Sequence, residues 1–163
     1  MYLAQVSRYD ILYAVNHLAR TMCKPSKAHM GAAKHVLQYL AGSAIFSITY
    51  KRGGFKLTTY TDANWGSNPD NGQSTSSYIV ILAKGSISFK VRLQSLTSQS
   101  TMEAELVEAT ITMKESLFCR NMMMELGFTE GFRSAAVYID NILALHVTGN
   151  RTFSPRAEHI ALR

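Results

Sequence analysis

Leu57-Thr58-Thr59-Tyr60-Thr61-Asp62-Ala63-Asn64-Trp65 is the stretch on which the fold turns. β-Branched and aromatic residues crowd its first half, as a pleated strand requires. A carboxylate, Asp62, follows where that strand should end. Upstream, Arg52-Gly53-Gly54 turns the chain, so residues 55–61 are predicted as a strand of their own. Before the turn, residues 44–50 alternate loosely through Ile45, Phe46, Ile48 and Tyr50, which predicts another strand. Downstream, residues 68–72 form a polar loop rich in turn formers. Residues 77–83 and 86–91 then read as a hairpin around Lys84-Gly85, with the glycine expected to supply the positive φ of the turn.

The helical period brackets these strands. Residues 9–22 place Ile11, Leu12, Val15, Leu18 and Ala19 on one face, and Pro25 ends that pattern. Ser26 can cap a second helix over residues 27–40, with Gly42 as its stop. After the hairpin, Ser100 and Glu103 fit a capping box that opens a long helix. Met102, Leu106, Ala109, Met113 and Leu117 recur along it as the expected core stripe, and Gly127 closes it. Residues 135–139 are nearly all apolar, the signature of a strand buried on both faces, and residues 141–147 read as a short helix. The order predicts an α/β fold, a mixed sheet flanked by helices and preceded by a short two-helix segment. A seam is expected near Ala41-Gly42-Ser43, dividing a helical connection (residues 1–43) from the α/β domain (residues 44–163).

Composition narrows the classes. The 163 residues are 47% hydrophobic and 17% charged, a globular balance that excludes a disordered chain. The net charge of +6 favours polyanionic partners, while fitting equally a basic domain with none. No apolar run is long enough to span a membrane. Arg8, Asp10, Asn16 and His17 interrupt the apolar run that a secretory signal would need. Cys23 and Cys119 are far apart and outside any Cys-x-x-Cys pattern, so free thiols in a reducing, intracellular setting are expected. The eight methionines, Met122-Met123-Met124 among them, read as adaptable core filling.

Three carboxylates stand where chemistry could use them. Asp62 follows a strand, Glu103 lies in the first turn of the long helix, and Asp140 ends the apolar strand. Strand ends and helix starts gather at one edge of a helix-covered sheet, where ligands bind. Three acids brought together there repel unless a hard divalent cation neutralises them. Two such ions about 4 Å apart can activate a water and stabilise a leaving oxygen in phosphodiester hydrolysis. Each acid also has an ordinary explanation: a turn residue at Asp62, a capping glutamate at Glu103, a helix cap at Asp140.

The motifs settle more than the spacing does. Tyr60-Thr61-Asp62-Ala63-Asn64-Trp65, Gln73-Ser74-Thr75-Ser76-Ser77-Tyr78, Ser100-Thr101-Met102-Glu103-Ala104-Glu105, Asp140-Asn141 and Glu158-His159-Ile160 occur in that order. Together they resemble the ribonuclease H domain of copia/Ty1-type retrotransposon polyproteins. Arg8-Tyr9-Asp10-Ile11-Leu12-Tyr13-Ala14-Val15-Asn16 and His35-Val36-Leu37-Gln38-Tyr39-Leu40-Ala41-Gly42 resemble the stretch joining that family's reverse transcriptase to the domain. The resemblance implies a ribonuclease-H-like fold and metal-dependent cleavage of RNA in RNA–DNA hybrids. It implies Asp62, Glu103 and Asp140 as metal-binding catalytic carboxylates for two Mg²⁺ or Mn²⁺ ions. Glu105 belongs to the same motif, but the first glutamate is the expected ligand, and residues two apart on a helix face differently.

Two departures matter. The family's Asp-Ala-Asp-Trp reads Asp62-Ala63-Asn64-Trp65, and its closing His-Ile-Asp reads His159-Ile160-Ala161. Alanine binds no metal, so the fourth carboxylate is lost and weakened activity is expected from a domain read as truncated after Arg163. His159 is a candidate for orienting a water or phosphate. Lys84, Lys90, Arg92, Arg151 and Arg156 are candidates for phosphate contacts and are equally explained as solvated charges. Trp65 is expected in the core. Copia fragments of this kind also resemble proteins catalogued as secreted RxLR effectors of oomycete plant pathogens, which implies the alternative of a non-catalytic protein acting in host cells on a host protein. The sequence contains no Arg-x-Leu-Arg tetrad.

Overall fold

The structure, a computed structural model, describes residues 1–53, 56–68, 71–128, 132 and 135–139. Three helices open it: α1 (Tyr2–Val6), α2 (Leu12–Arg20), entered through a 3-10 turn (Tyr9–Ile11), and α3 (Lys27–Gly42). The strands β1 (Thr58–Asn64), β2 (Thr75–Leu82) and β3 (Gly85–Leu93) follow, then α4 (Thr101–Glu125) and β4 (Ala136–Ile139). The sheet order is β3-β2-β1-β4. The first three strands form an antiparallel meander, and β4 returns parallel to β1 after the α4 crossover. This is the expected mixed, ribonuclease-H-like sheet with helices on it. The N-terminal segment holds one short helix, α1, more than the two predicted.

The two faces of the sheet differ. Neighbouring strand residues point to opposite sides. On β3, Ser88 Oγ donates to Glu115 of α4 at 2.8 Å, whereas the ring of Phe89 lies 5.3 Å from that of Tyr9. One face therefore carries α4 and the other carries the N-terminal helices. On the helical-segment side, Ala4, Ile11 and Leu12 are buried with Val15, Val36, Leu40, Phe89 and Val91. Under α4, Leu57, Val80, Leu82, Cys119 and Phe132 form the apolar core.

The helix ends follow the sequence closely. Ser26 and His29 cap α3 reciprocally: Ser26 Oγ accepts from His29 N–H and His29 Nδ1 accepts from Ser26 N–H. Past α4, Gly127 adopts φ +88°, and Phe128 and Gly127 donate backward to Met123 O and Met124 O, which satisfies carbonyls the helix leaves open.

Several expectations are corrected. Residues 44–50 are not a strand. Their described tie to the hairpin is Lys51 N–H donating to Ala83 O at 2.9 Å, with Tyr50 Oη donating to Ser86 O at 2.7 Å. Ile45, Phe46 and Tyr50 stay exposed, so the loose alternation has no face to bury. The hairpin turn is Ala83-Lys84, with φ of 51° and 66° at the two residues, closed by the Leu82–Gly85 pair. Gly85 is needed for a different reason: a Cβ there would meet the Tyr50 ring. β4 is an edge strand of the described sheet, and Tyr138 is exposed. Trp65 is half exposed, its Nε1 donating to Ser98 O at 3.0 Å. On α4 Leu106 and Ala109 are buried as predicted, but Leu117 is exposed and Met102 and Met113 are half-buried. The side facing the sheet is instead lined by Glu108, Thr112 and Ser116. Met123 packs on the core, while Met122 and Met124 are exposed.

Candidate functional site

β1 carries the candidate site because its two faces do different work. Thr59 and Thr61 point beneath α4: Thr59 Oγ1 donates to Ser116 Oγ at 3.1 Å, and Thr112 Oγ1 donates to Thr61 Oγ1 at 3.0 Å. Tyr60 and Asp62 alternate onto the opposite face. Asp62 is exposed, opposite Ser77 of β2, whose hydroxyl donates to the Asp62 carbonyl at 3.4 Å. Among the described residues none hydrogen-bonds to the Asp62 carboxylate.

Glu103 sits at the start of α4. Its backbone N–H donates to Ser100 Oγ at 3.1 Å, as the capping reading predicted. Its carboxylate Oε2 accepts from Gln99 N–H at 2.7 Å, one residue before the cap. The residue is only 1% exposed. The end of β1 and the approach to α4 are tied by the Trp65 indole bond to Ser98. Asp62 is open on the face of β1 away from α4, whereas Glu103 is enclosed in the first turn of α4, and among the described residues no hydrogen bond joins them. The β1–β4 ladder is described as far as Thr61 and Ile139. Asp140 lies outside the described residues, as do Arg151, Arg156, Glu158, His159 and Ala161. Among the described residues no group of three histidine, cysteine or acidic side chains converges on one point.

Sequence reasoning missed a second carboxyl. Glu108 is 1% exposed beneath α4, where its Oε1 lies 3.3 Å from Thr112 Oγ1. Burial pushes its pKa above the ordinary value, against the pull of a Ser76 hydrogen bond and the Arg92 charge. Glu108 Oε2 and Arg92 Nε are each buried without a hydrogen-bond partner among the described residues. Around them Gln94 Nε2 donates to Ser76 Oγ and to Ala104 O, both at 2.8 Å, and Gln94 Oε1 accepts from Ser98 Oγ at 3.0 Å. The signal was available: Ala104, Glu108, Thr112 and Ser116 recur every fourth residue, opposite the hydroxyl-bearing Thr59, Thr61 and Ser76. Of the other cations, Lys84 occupies the exposed hairpin turn and Lys90 is exposed on β3. Both cysteines are free thiols, Cys23 exposed and Cys119 buried. No helix among the described residues is long and apolar enough to cross a membrane.

Comparison with known proteins gives this geometry its context. No family model and no solved structure matches the chain. The retrovirus-related Pol polyprotein from transposon RE1 of Arabidopsis thaliana is 36% identical over 157 residues, covering 96% of this chain and 11% of that polyprotein. The corresponding polyprotein from transposon TNT 1-94 of Nicotiana tabacum is 32% identical over 163 residues, covering 100% of this chain and 12% of its own length. Secreted RxLR effector protein 161 of Plasmopara viticola is 31% identical over 119 residues, covering 72% of this chain and 84% of that protein. The chain therefore belongs to the copia/Ty1-type retrotransposon Pol polyproteins, as a retroelement-derived module that spans 11–12% of the length of the Pol polyproteins it matches along nearly its whole length.

Proposed function

We propose that this module is a ribonuclease-H-type nuclease that cleaves RNA in RNA–DNA hybrids with Mg²⁺ or Mn²⁺, inside the cell. The observation that carries the reading is Asp62: in a chain matched end to end by a Pol polyprotein, the motif's first aspartate stands open in the last residues of β1, with no hydrogen bond to its carboxylate among the described residues. Carboxylate oxygens are the hard donors these ions take, and the unengaged Asp62 carboxylate fits that role. Asp62, Glu103 and Asp140 would hold the metal. A bound ion pair would supply water activation and charge neutralisation at the phosphate.

The chain's own contribution is positional. Trp65 holds the end of β1 against the approach to α4, and the Gln99 N–H fixes one oxygen of Glu103. Alanine at position 161, in place of the family's fourth carboxylate, weakens hold on the second ion, so turnover is expected to be slow. The test is cleavage of a labelled hybrid in Mg²⁺ or Mn²⁺ by the wild-type chain and by Asp62→Asn. Slow cleavage by the wild type and none above background by the variant is expected; equal signals remove the catalytic assignment.

A second reading is favoured by the effector match, which covers 84% of that protein. Under it, the module retains the fold, lacks cleavage activity, and acts outside the producing cell by binding a host protein. Export of the intact chain in a secretion assay, together with inert behaviour on hybrids, is the outcome that would select it.

A further inference from the structure

The sheet face opposite α4 is only partly covered. The N-terminal helices pack over β3, and the β1–β4 side of that face presents two aromatic rings. Tyr60 and Tyr138 are direct partners in the parallel ladder. Their rings stack at 5.1 Å between centroids and 18° between planes, and they remain 47% and 49% exposed. A groove of about 320 Å³ opens beside them, lined by Tyr9, Tyr60, Asp62, Ile79 and Phe89 among others. That volume is at the lower end of the roughly 300–1,000 Å³ typical of small-ligand pockets. Tyr60 lines the groove and Tyr138 does not, so Tyr138 backs Tyr60 from the far side.

We propose that Tyr60, backed by Tyr138, is a stacking shelf for one unpaired base of a polynucleotide. The inference rests on the nucleic-acid reading above and names how the strand is held beside Asp62. Four observations favour a base over a protein side chain as the occupant. The rings are already paired in parallel, so a flat π-face entering the groove continues the stack. The shelf is two residues from Asp62 on the same face of the same strand, about 7 Å along β1. The chain carries +6, which suits a polyanion. A cation is fixed at the same end of the sheet: Arg20 donates to Thr75 Oγ1 at 3.2 Å, and Thr75 pairs with Asn64. Stacking of this kind tolerates any base, since each has a π-face.

The test is binding without catalysis, by fluorescence anisotropy in EDTA. The probes are a short single-stranded oligothymidylate and an abasic strand of the same length and charge. The wild type is expected to prefer the thymidylate strand. Tyr60→Ala should bind that strand about tenfold more weakly, as loss of one stacked base predicts, and bind the abasic strand unchanged. Tyr60→Phe should retain the preference, which separates loss of the ring from loss of the fold. Equal affinity for both strands, no effect of Tyr60→Ala, or no binding by the wild type overturns the shelf. A chain that cleaves nothing yet shows the Tyr60-dependent preference keeps the shelf and loses the nuclease. A chain that cleaves hybrids without that preference does the reverse.

Discussion

Gly85→Ala measures how closely the stretch before β1 is laid over the hairpin. The added Cβ would lie 2.5 and 2.6 Å from Cδ1 and Cε1 of Tyr50 and 3.1 Å from the Thr49 carbonyl oxygen. Non-bonded carbons rest at about 3.5–4.0 Å, so the ring must retreat by about 1 Å. Tyr50 is 56% exposed, so it can swing outward. Doing so breaks its hydrogen bond to Ser86 O, worth about 0.5–1.5 kcal/mol. The backbone at Thr49 has no such escape, and overpacking typically costs about 1–3 kcal/mol. A destabilisation of about 2 kcal/mol follows, read by urea denaturation. The cause is isolated by a double-mutant cycle with Tyr50→Ala. With the ring removed, Gly85→Ala should cost under about 1 kcal/mol, since only the Thr49 contact remains. An equal cost in both backgrounds would refute the ring as the source, and a Gly85→Ala protein as stable as wild type would refute the packing itself.

Glu108→Gln tests the enclosed carboxyl through pH. Burial raises the Glu108 pKa above its ordinary 4.5, so the folded chain keeps a proton that the unfolded chain releases. The stability carried by that proton is full below the unfolded value and is lost as pH rises through the folded one. Glutamine stays neutral, so the variant should match wild type in acid and exceed it at neutral pH in urea titrations; an advantage confined to acid would contradict the sign. At the hairpin, Ala83→Asn with Lys84→Gly should stabilise by about 1 kcal/mol, because both positions hold a positive φ that Asn-Gly adopts more readily. An unchanged or lower melting temperature would argue against that turn geometry.

Legibility of the sequence followed how local the cause was. Caps and stops depend on a few neighbouring residues, and Ser26, Ser100 and Gly127 act as their positions suggested. The pairing of β2 with β3 was also readable, because a two-residue connection between strand-like runs dictates a hairpin. What failed depended on partners remote in sequence. The glycine beside the turn is explained only by Tyr50, thirty-five positions earlier by number. Trp65 looked like a core residue by size, yet it stays half exposed while its indole N–H donates to the carbonyl of buried Ser98. The helix stripe was judged by hydrophobicity, but α4 meets a sheet face already committed to hydroxyls, so Glu108, Thr112 and Ser116 turn inward and Leu117 turns out. Of the three candidate carboxylates, Asp62 lies within β1, which runs on to Asn64 and was expected to stop at Thr61, Glu103 lies at the helix start as read, and Asp140 is beyond the described residues.

The hydroxyl seam beneath α4 acts as a vernier. Four helical residues, from Thr112 to Ser116, advance about 6 Å; two strand residues, from Thr61 back to Thr59, span about 6.6 Å. The two scales coincide at both marks. A slip by one turn would bring Ser116 level with the fully enclosed, apolar Leu57 and set the Glu108 carboxyl in Thr112's place. The seam therefore fixes how far the helix protrudes past the strand. Glu103 is nine residues, about 13 Å of helix, from the nearer mark. Its height above the sheet edge is dictated by alcohols that never approach it, so trimming Thr112 or Ser116 would detune an acid more than two turns away.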